Sequence, residues 1–495
     1  MHMEYLKLID QYKDEMVASL QELIQIKSVQ DKPEPNAPFG RGVADAFKYM
    51  LNKAEGDGFD TENVDNYGGH IEFGGYILDE DGNIEGTSDE TMGILAHLDV
   101  VPEGTGWKHD PYSGTIEDNR VYGRGAMDDK GPLLAAYYAM KALKDSGCVP
   151  EKKVRLILGL DEETGWNGMV HYLSKVKAPD FGFTPDANFP AIHGEKGILV
   201  FQLAKKIGKT NAKGLELRSI KGGEAANMVA DSARAVVRAE KMEIYDLVKA
   251  LAAAYRDEHC KEGGKAYGAK INCKGVGKSL EILVTGVSAH GATPEMGVNA
   301  ITVMMDFLSQ LDLINDDLGE FIDFYNEHIG FEFDGTGMGC GLEDEPSGKL
   351  VLNVGTLELE KEAMIMSINI RYPVTFKEEE VYEAIMPVVN KYNMGIIKMK
   401  GRGPIYMPKD SELITTLMEA YKNHTGDMES EPIVIGGGTY ARAADNIVAF
   451  GCVFPDEEEL AHQKNEFIDI DRMVLSAKIF AEAIYKLAGC VYNPK

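Results

Sequence analysis

The chain has 495 residues, enough for two or three domains of about 150 residues each and for a cleft between them. Eighty acidic against 51 basic side chains give a formal charge of −29, which excludes a phosphate backbone or an anionic membrane as the main partner, so neither nucleic acid nor membrane binding is expected. Six cysteines (Cys148, Cys260, Cys273, Cys340, Cys452 and Cys490) follow no CxxC or regular spacing, so any metal must be held by histidines and carboxylates.

In chain order, MHMEYLKLIDQYKDEM reads as the start of a charged amphipathic helix running to about Ile26, not as a signal peptide. No uninterrupted apolar stretch approaches the length of about 18 residues that a membrane span requires, and a soluble, cytoplasmic protein is the expectation. A Pro- and Asn-rich loop, the helix VADAFKYMLNKAEGDG and strands around HIEFGGYIL and TMGILAHLDV follow. Then come the helix GPLLAAYYAMKALKDSG and the continuous apolar run KKVRLILGL of a buried strand, the alternation of βαβ units.

From Gly194 the rhythm changes. Strands and amphipathic helices such as GILVFQLAKKI, MEIYDLVKALAAAYRDEHC, KSLEILVTGVSAH and GVNAITVMMDFLSQL are succeeded by KLVLNVGTLELEKEAMIMSINIRYP, EEEVYEAIMPVVNKY and MGIIKMKG. Two tandem halves of similar style are expected over 194–400. Helices resume in MPKDSELITTLMEAYKNHTG and MVLSAKIFAEAIYKLAG, with the short strand EPIVIGG between them. The middle is therefore expected to be an insertion into one α/β domain that is split in sequence.

Charged groups recur where a folded core would not leave them unpaired. In GILAHLDVVPEGTGW, a strand-like run ends in His97 with Asp99 two residues on, so that period-2 alternation puts both on one side. VYGRGAMDDKGP delivers Asp128 and Asp129 to the start of a helix, where an acidic pair can also serve as an N-cap. LILGLDEETGW ends a strand in Asp161, Glu162 and Glu163, which repel one another unless a cation or proton is shared. FGFTPDANFP offers Asp186, and PDEEELAHQKNE places His462 in an acidic loop. Imidazoles and carboxylates without thiolates suit zinc, manganese or cobalt, and a carboxylate bridging two ions is one way of binding them.

HLDVVPEGTGW, GRGAMDDKGP, LDEETGW, FTPDANFP, VSAHGATPEMGVNA and ELAHQKNE, in this order, resemble the di-zinc metallopeptidase family of aminoacylases, succinyl-diaminopimelate desuccinylases, glutamate carboxypeptidase and carnosinase-like dipeptidases. The wording is most similar to the bacterial peptidase V type of dipeptidase, over almost the whole chain. The resemblance implies two divalent ions, zinc with manganese or cobalt as the other fits. His97 and Asp186 would bind one ion, Glu163 and His462 the other, and Asp128 both. It further implies Asp99 as the partner orienting His97, Glu162 as general base, and a cis peptide after Asp128. From the middle region it implies His290 as donor to the oxyanion, Asn227 as a polar substrate contact and Arg371 as partner of the substrate's C-terminal carboxylate. Gly436 and Gly437 in VIGGGTYAR would bring main chain close to the substrate, with an ordinary strand-to-helix turn as the equal alternative.

The architecture expected is α/β: a catalytic domain with a central, mostly parallel sheet (1–193 and 401–495) and an inserted α+β lid of two ferredoxin-like halves (194–400). The activity expected is hydrolysis of small unblocked dipeptides, with one chain sufficient. An N-acyl-amino-acid or N-succinyl deacylase on the same metal site, and a catalytically silent binding protein of the same fold, are the alternatives. His70, His109, His171, His193, His259, His328 and His424 match no ligand position, and Trp107 and Trp166 are read as shaping loops.

Overall fold

The apolar runs TMGILAH and KVRLILG form the neighbouring strands Thr91–His97 and Lys153–Gly159 of a computed structural model that describes residues 4–79, 81–209 and 213–492. Both strands are buried on both faces, as the absence of polar alternation requires. Each apolar side chain so removed from water stabilises the fold by about 1.5–3 kcal/mol. The chain divides into two compact units, Met1–His193 with Met407–Ile433 and Gly438–Lys495, and Gly194–Tyr406 with Val434–Gly437.

In the first unit the strand order is Asp60–Val64, Gly68–Gly74, Lys153–Gly159, Thr91–His97, Phe181–Thr184, Ile447–Ala449. The first two pairings in this order are antiparallel and the last three parallel. The helix Lys130–Asp145 is buried along nearly its whole length and packs on the two central strands, with Ile470–Leu487 beside it. The N-terminal helix expected to reach Ile26 is two helices, Glu4–Gln11 and Lys13–Gln25. The expected strand HIEFGGYIL is likewise broken: Gly74 and Gly75 take φ of 83° and 80°, a region glycine enters without steric cost, and only Gly68–Gly74 stays in the sheet. The peptide Asp128–Asp129 is cis.

The second unit is built on an antiparallel sheet of eight strands, in the order Lys270–Val276, Ser279–Thr285, Ser232–Arg238, Glu216–Gly222, Val351–Glu360, Ala363–Tyr372, Gly197–Lys206, Gly395–Arg402. Its two four-stranded halves meet through the short pairing of Lys221 with Glu358 and Gly222 with Leu357. The helices Met242–His259, Ala300–Leu308, Asp316–His328 and Glu378–Lys391 contribute to its hydrophobic core. Pairing within this unit continues past residue 400. Ile405 and Tyr406 bond Glu195 and Gly194, and the Lys196 N–H donates to the Ile435 carbonyl, which carries Val434–Gly437 into this unit.

Candidate metal centre

The carboxyl ends of the parallel strands collect the charged residues in the first unit. His97 is the last residue of its strand, and its register partner Gly159 is followed within four residues by Asp161, Glu162 and Glu163. Asp186 lies two residues beyond Thr184 at the end of the next strand. This is the edge at which open α/β sheets gather ligands. Asp128 arrives from the turn before the helix Lys130–Asp145, and His462 from the acidic loop before Phe467, with a left-handed φ of 64°.

Two groups result, each able to hold a metal ion: His97, Asp128 and Asp186, and Asp128, Glu163 and His462, with the donor atoms of each group within 4.8 Å of one another. His97 Nε2 lies 3.0 Å from Asp128 Oδ1 and 3.5 Å from Asp186 Oδ2. His462 Nε2 lies 3.1 Å from Asp128 Oδ2 and 3.0 Å from Glu163 Oε2. Asp128 thus turns one oxygen to each group. His97 Nε2 and Asp128 Oδ1 are buried and, although close, make no hydrogen bond of proper geometry. Buried polar atoms are rarely left so, and His97 Nε2 and Asp128 Oδ1 facing each other without a bond fit a cation between them.

The electrostatics agree. Burial pushes the Glu162 carboxyl up to about 8; imidazole His97 opposes the rise, and the carboxylates Asp186, Glu163 and Asp128 add to it. Burial likewise raises Glu163 and Asp186. Burial also opposes ionisation of Asp128, but His462 and His97 outweigh it and hold this carboxyl far down. His462 is driven up to about 10 by its bonds to Asp128 and Glu163. His97 is raised against its own burial by Asp128, Asp186 and Asp99. The cluster thus retains protons on groups that ordinarily lose them, and a divalent cation would displace those protons.

The main chain under these side chains is held by further carboxylates. His97 Nδ1 bonds the main-chain oxygen of Asp99 at 2.9 Å, and the Asp99 carboxylate is more distant at 3.5 Å. That carboxylate instead accepts the N–H groups of Glu162 and Glu163, each at 3.1 Å, so the shorter contact of Asp99 with the His97 ring is through its backbone. Asp129 stands at the N-cap position of the following helix without capping it; its Oδ2 accepts the His97 N–H at 3.0 Å. Glu466 accepts from Met127 and Asp128 N–H, and Arg124 donates to Glu466 and to the His462 carbonyl. From the sequence, Asp129 has only the N-cap alternative and Arg124 and Glu466 have no role, although both lie within the motifs GRGAMDDKGP and ELAHQKNE. Tyr440 packs edge-on against His97 and Trp166, and a Cβ at Gly159 would come within 2.1 Å of the Tyr440 hydroxyl, so this strand end requires glycine.

In the second unit, the loop of Asn227 meets that of His290. The Gly291 N–H donates to the Asn227 carbonyl at 2.7 Å, and Met228 bridges to His290. A Cβ on Gly436 would stand 3.0 Å from Ala292, so Gly436 lies beside the same loop. Gly437 follows it, next to the Ile435 side chain. Arg371 is a buried residue of this unit's antiparallel sheet, opposite Val351 and Ile198, with Nε donating to Asn369 Oδ1 at 2.9 Å. Six of the seven histidines set aside from the sequence have ordinary polar partners, and the seventh, His259, packs edge-on against Tyr255. His70 bonds Tyr172, His109 pairs with Glu117, His171 with Asp65 and His424 with Glu482, while His193 and His328 bond carbonyls.

Residues 93–486 match peptidase family M20/M25/M40. A protein of Staphylococcus haemolyticus named "Putative dipeptidase" is 37% identical over 486 residues, covering 97% of this chain and 98% of its own. One of the same description in Bacillus subtilis is 37% identical over 482 residues, covering 96% and 98%. Among solved structures, aminoacylhistidine dipeptidase of Vibrio alginolyticus has a TM-score of 0.56 at 15% identity over 95% of both chains. Human carnosine dipeptidase 1 has a TM-score of 0.50 at 18% identity, over 99% of this chain and 100% of its own. At such identities these two likenesses bear on the fold alone. The family match and the extended relatives together lead to one assignment: the chain belongs to peptidase family M20/M25/M40.

Proposed function

We propose that this chain is a metal-dependent dipeptidase acting on unblocked dipeptides. The observation that carries the reading is the pair of ligand groups sharing Asp128, with Glu162 left outside both of them. His97 and Asp186 would hold one divalent ion, Glu163 and His462 the other, and Asp128 both; zinc is the favoured ion, with manganese or cobalt as alternatives. When bound, such ions polarise a peptide carbonyl and lower the pKa of water. Glu162, its carboxyl raised by burial, accepts the proton of the attacking water and returns it to the leaving amine. Asp99 keeps His97 and the Glu162–Glu163 main chain in register.

His290 donates to the oxyanion as charge develops, which favours the transition state over the bound substrate. Asn227 adds a polar contact, and the Arg371 guanidinium pairs with the C-terminal carboxylate of a dipeptide. Gly436 and Gly437 allow main chain to approach the substrate. The segments 1–193 and 401–495 act as the catalytic part and 194–400 as the lid. One chain carries all of these groups, so one chain suffices. We place the protein in the cytoplasm, a reading supported by its six free thiols.

The test is a substrate panel on protein reloaded with metal: unblocked dipeptides, a tripeptide, an N-acetyl amino acid and N-succinyl-diaminopimelate. Cleavage confined to the dipeptides is expected. Cleavage confined to N-acylated compounds would keep the metal site and overturn the substrate.

A further inference from the structure

Behind the ligand cluster, a pair of opposite charges joins two segments that carry ligands and are far apart in sequence. Arg124 and Glu466 are 2% and 0% exposed, and Arg124 Nη1 donates to Glu466 Oε2 at 2.6 Å. Their other polar contacts lead to main-chain atoms beside the metal residues. Glu466 Oε1 accepts the N–H groups of Met127 at 2.8 Å and Asp128 at 3.1 Å, and Arg124 Nη2 donates to the His462 carbonyl at 3.3 Å. The Trp107 ring supports the guanidinium from 5.2 Å.

The two segments are already joined without these charges. Phe467–Asp469 pairs with Arg120–Tyr122 in a three-stranded ribbon, and the Gly123 N–H donates to the Glu466 carbonyl. A buried ion pair is an inefficient way to add stability, because desolvation offsets most of the attraction and apolar replacements often serve as well. What such a pair does supply is fixed direction, and groups that hold metal ligands in place govern metal affinity.

We propose that Arg124 and Glu466 are positioning residues for the metal centre: by fixing the main chain at Asp128 and at His462, they set the spacing of the carboxylate and imidazole that share one ion. This inference rests on the metal-centre reading given above.

The test uses Arg124→Met combined with Glu466→Gln. The pair removes both charges at similar volume and keeps an amide oxygen for the Met127 and Asp128 N–H groups, while the His462 carbonyl loses its donor. Metal-free parent and variant are titrated with cobalt(II), following heat and the visible d–d absorption, with circular dichroism and thermal midpoint reporting the fold. The parent is expected to take up two ions. The folded variant should bind one as the parent does and the other about 10- to 100-fold more weakly, with an altered d–d spectrum. Arg124→Lys, which keeps the charge but not the planar fork, should show a smaller weakening of the same ion, and it decides the matter if the double variant does not fold. Parent affinities and spectrum for both ions in a folded variant would overturn the proposal. A parent that takes up no cobalt would overturn the metal-centre reading itself.

Discussion

Glu162 and Glu163 are neighbours in the chain with different surroundings. Glu163 reaches His462 at 3.0 Å, whereas Glu162 belongs to neither ligand group and is raised to about 8 by burial. Glu162→Gln should therefore lower turnover by about 10²- to 10⁴-fold while the metal content stays that of the parent. Full activity in the variant would remove Glu162 from the role of base. His70 offers a separate test of buried charge. Burial holds it down at about 4, against the pull of Glu72, while Tyr172 bonds its Nδ1 and Glu62 lies 3.5 Å away. The unfolded chain takes up a proton near pH 6.5 where the folded protein does not, so this stability is present above pH 6.5 and is lost as pH falls toward 4. Between pH 7 and 5 the parent should lose about 1–2 kcal/mol more unfolding free energy than His70→Gln. Equal losses in urea titrations would contradict the assignment.

At the scale of elements, Asp161 links a helix to the site. Its carboxylate, raised to about 6 by burial, accepts the N–H groups of Asn167 at 2.6 Å and Gly168 at 2.9 Å at the start of the helix Asn167–Lys175. Asp161→Ala should cost about 0.5–2 kcal/mol, with Asp161→Asn costing less because an acceptor remains; chemical denaturation measures both. An alanine variant as stable as the parent would show that the loop, not this carboxylate, sets the helix start. Several elements were legible from pattern alone: TMGILAH and KVRLILG are continuous apolar runs and became central strands. The helix Asp316–His328 went unread although Leu318, Phe321, Ile322 and Tyr325 carry helical spacing, because its acidic start and the glycine at 319 resemble a loop. The burial of Arg371 was hidden by pattern: Ser367, Asn369 and Arg371 alternate with apolar residues as on a half-exposed strand, yet both faces there are buried, with Arg371 donating to Asn369 and Ser367 accepting from Gln202.

At the scale of the whole molecule, the residues of the ligand groups run from His97 to His462, and the parallel strands bring their loops to one edge of the sheet. These residues were legible because their chemistry resides in side chains that have no business at strand ends unless paired. Arg124, Asp129 and Glu466 were not, because they act on main-chain N–H and C=O groups, and a sequence does not state which main-chain group a carboxylate will meet. The pairing of Ile405 and Tyr406 with Glu195 and Gly194, and the Val434–Gly437 segment, depend on strand pairing across long separations that local pattern does not carry.

The central claim is that two ions per chain support peptide hydrolysis. Metal-free protein should be titrated with zinc or cobalt(II), with bound ions per chain, thermal midpoint and dipeptide cleavage measured on the same samples. We expect cleavage to be absent without metal and to rise to its maximum as occupancy reaches two, with the midpoint rising in step as ligand binding favours the folded state. Full cleavage by metal-free protein, or no cleavage of any dipeptide with both positions filled, would contradict the account.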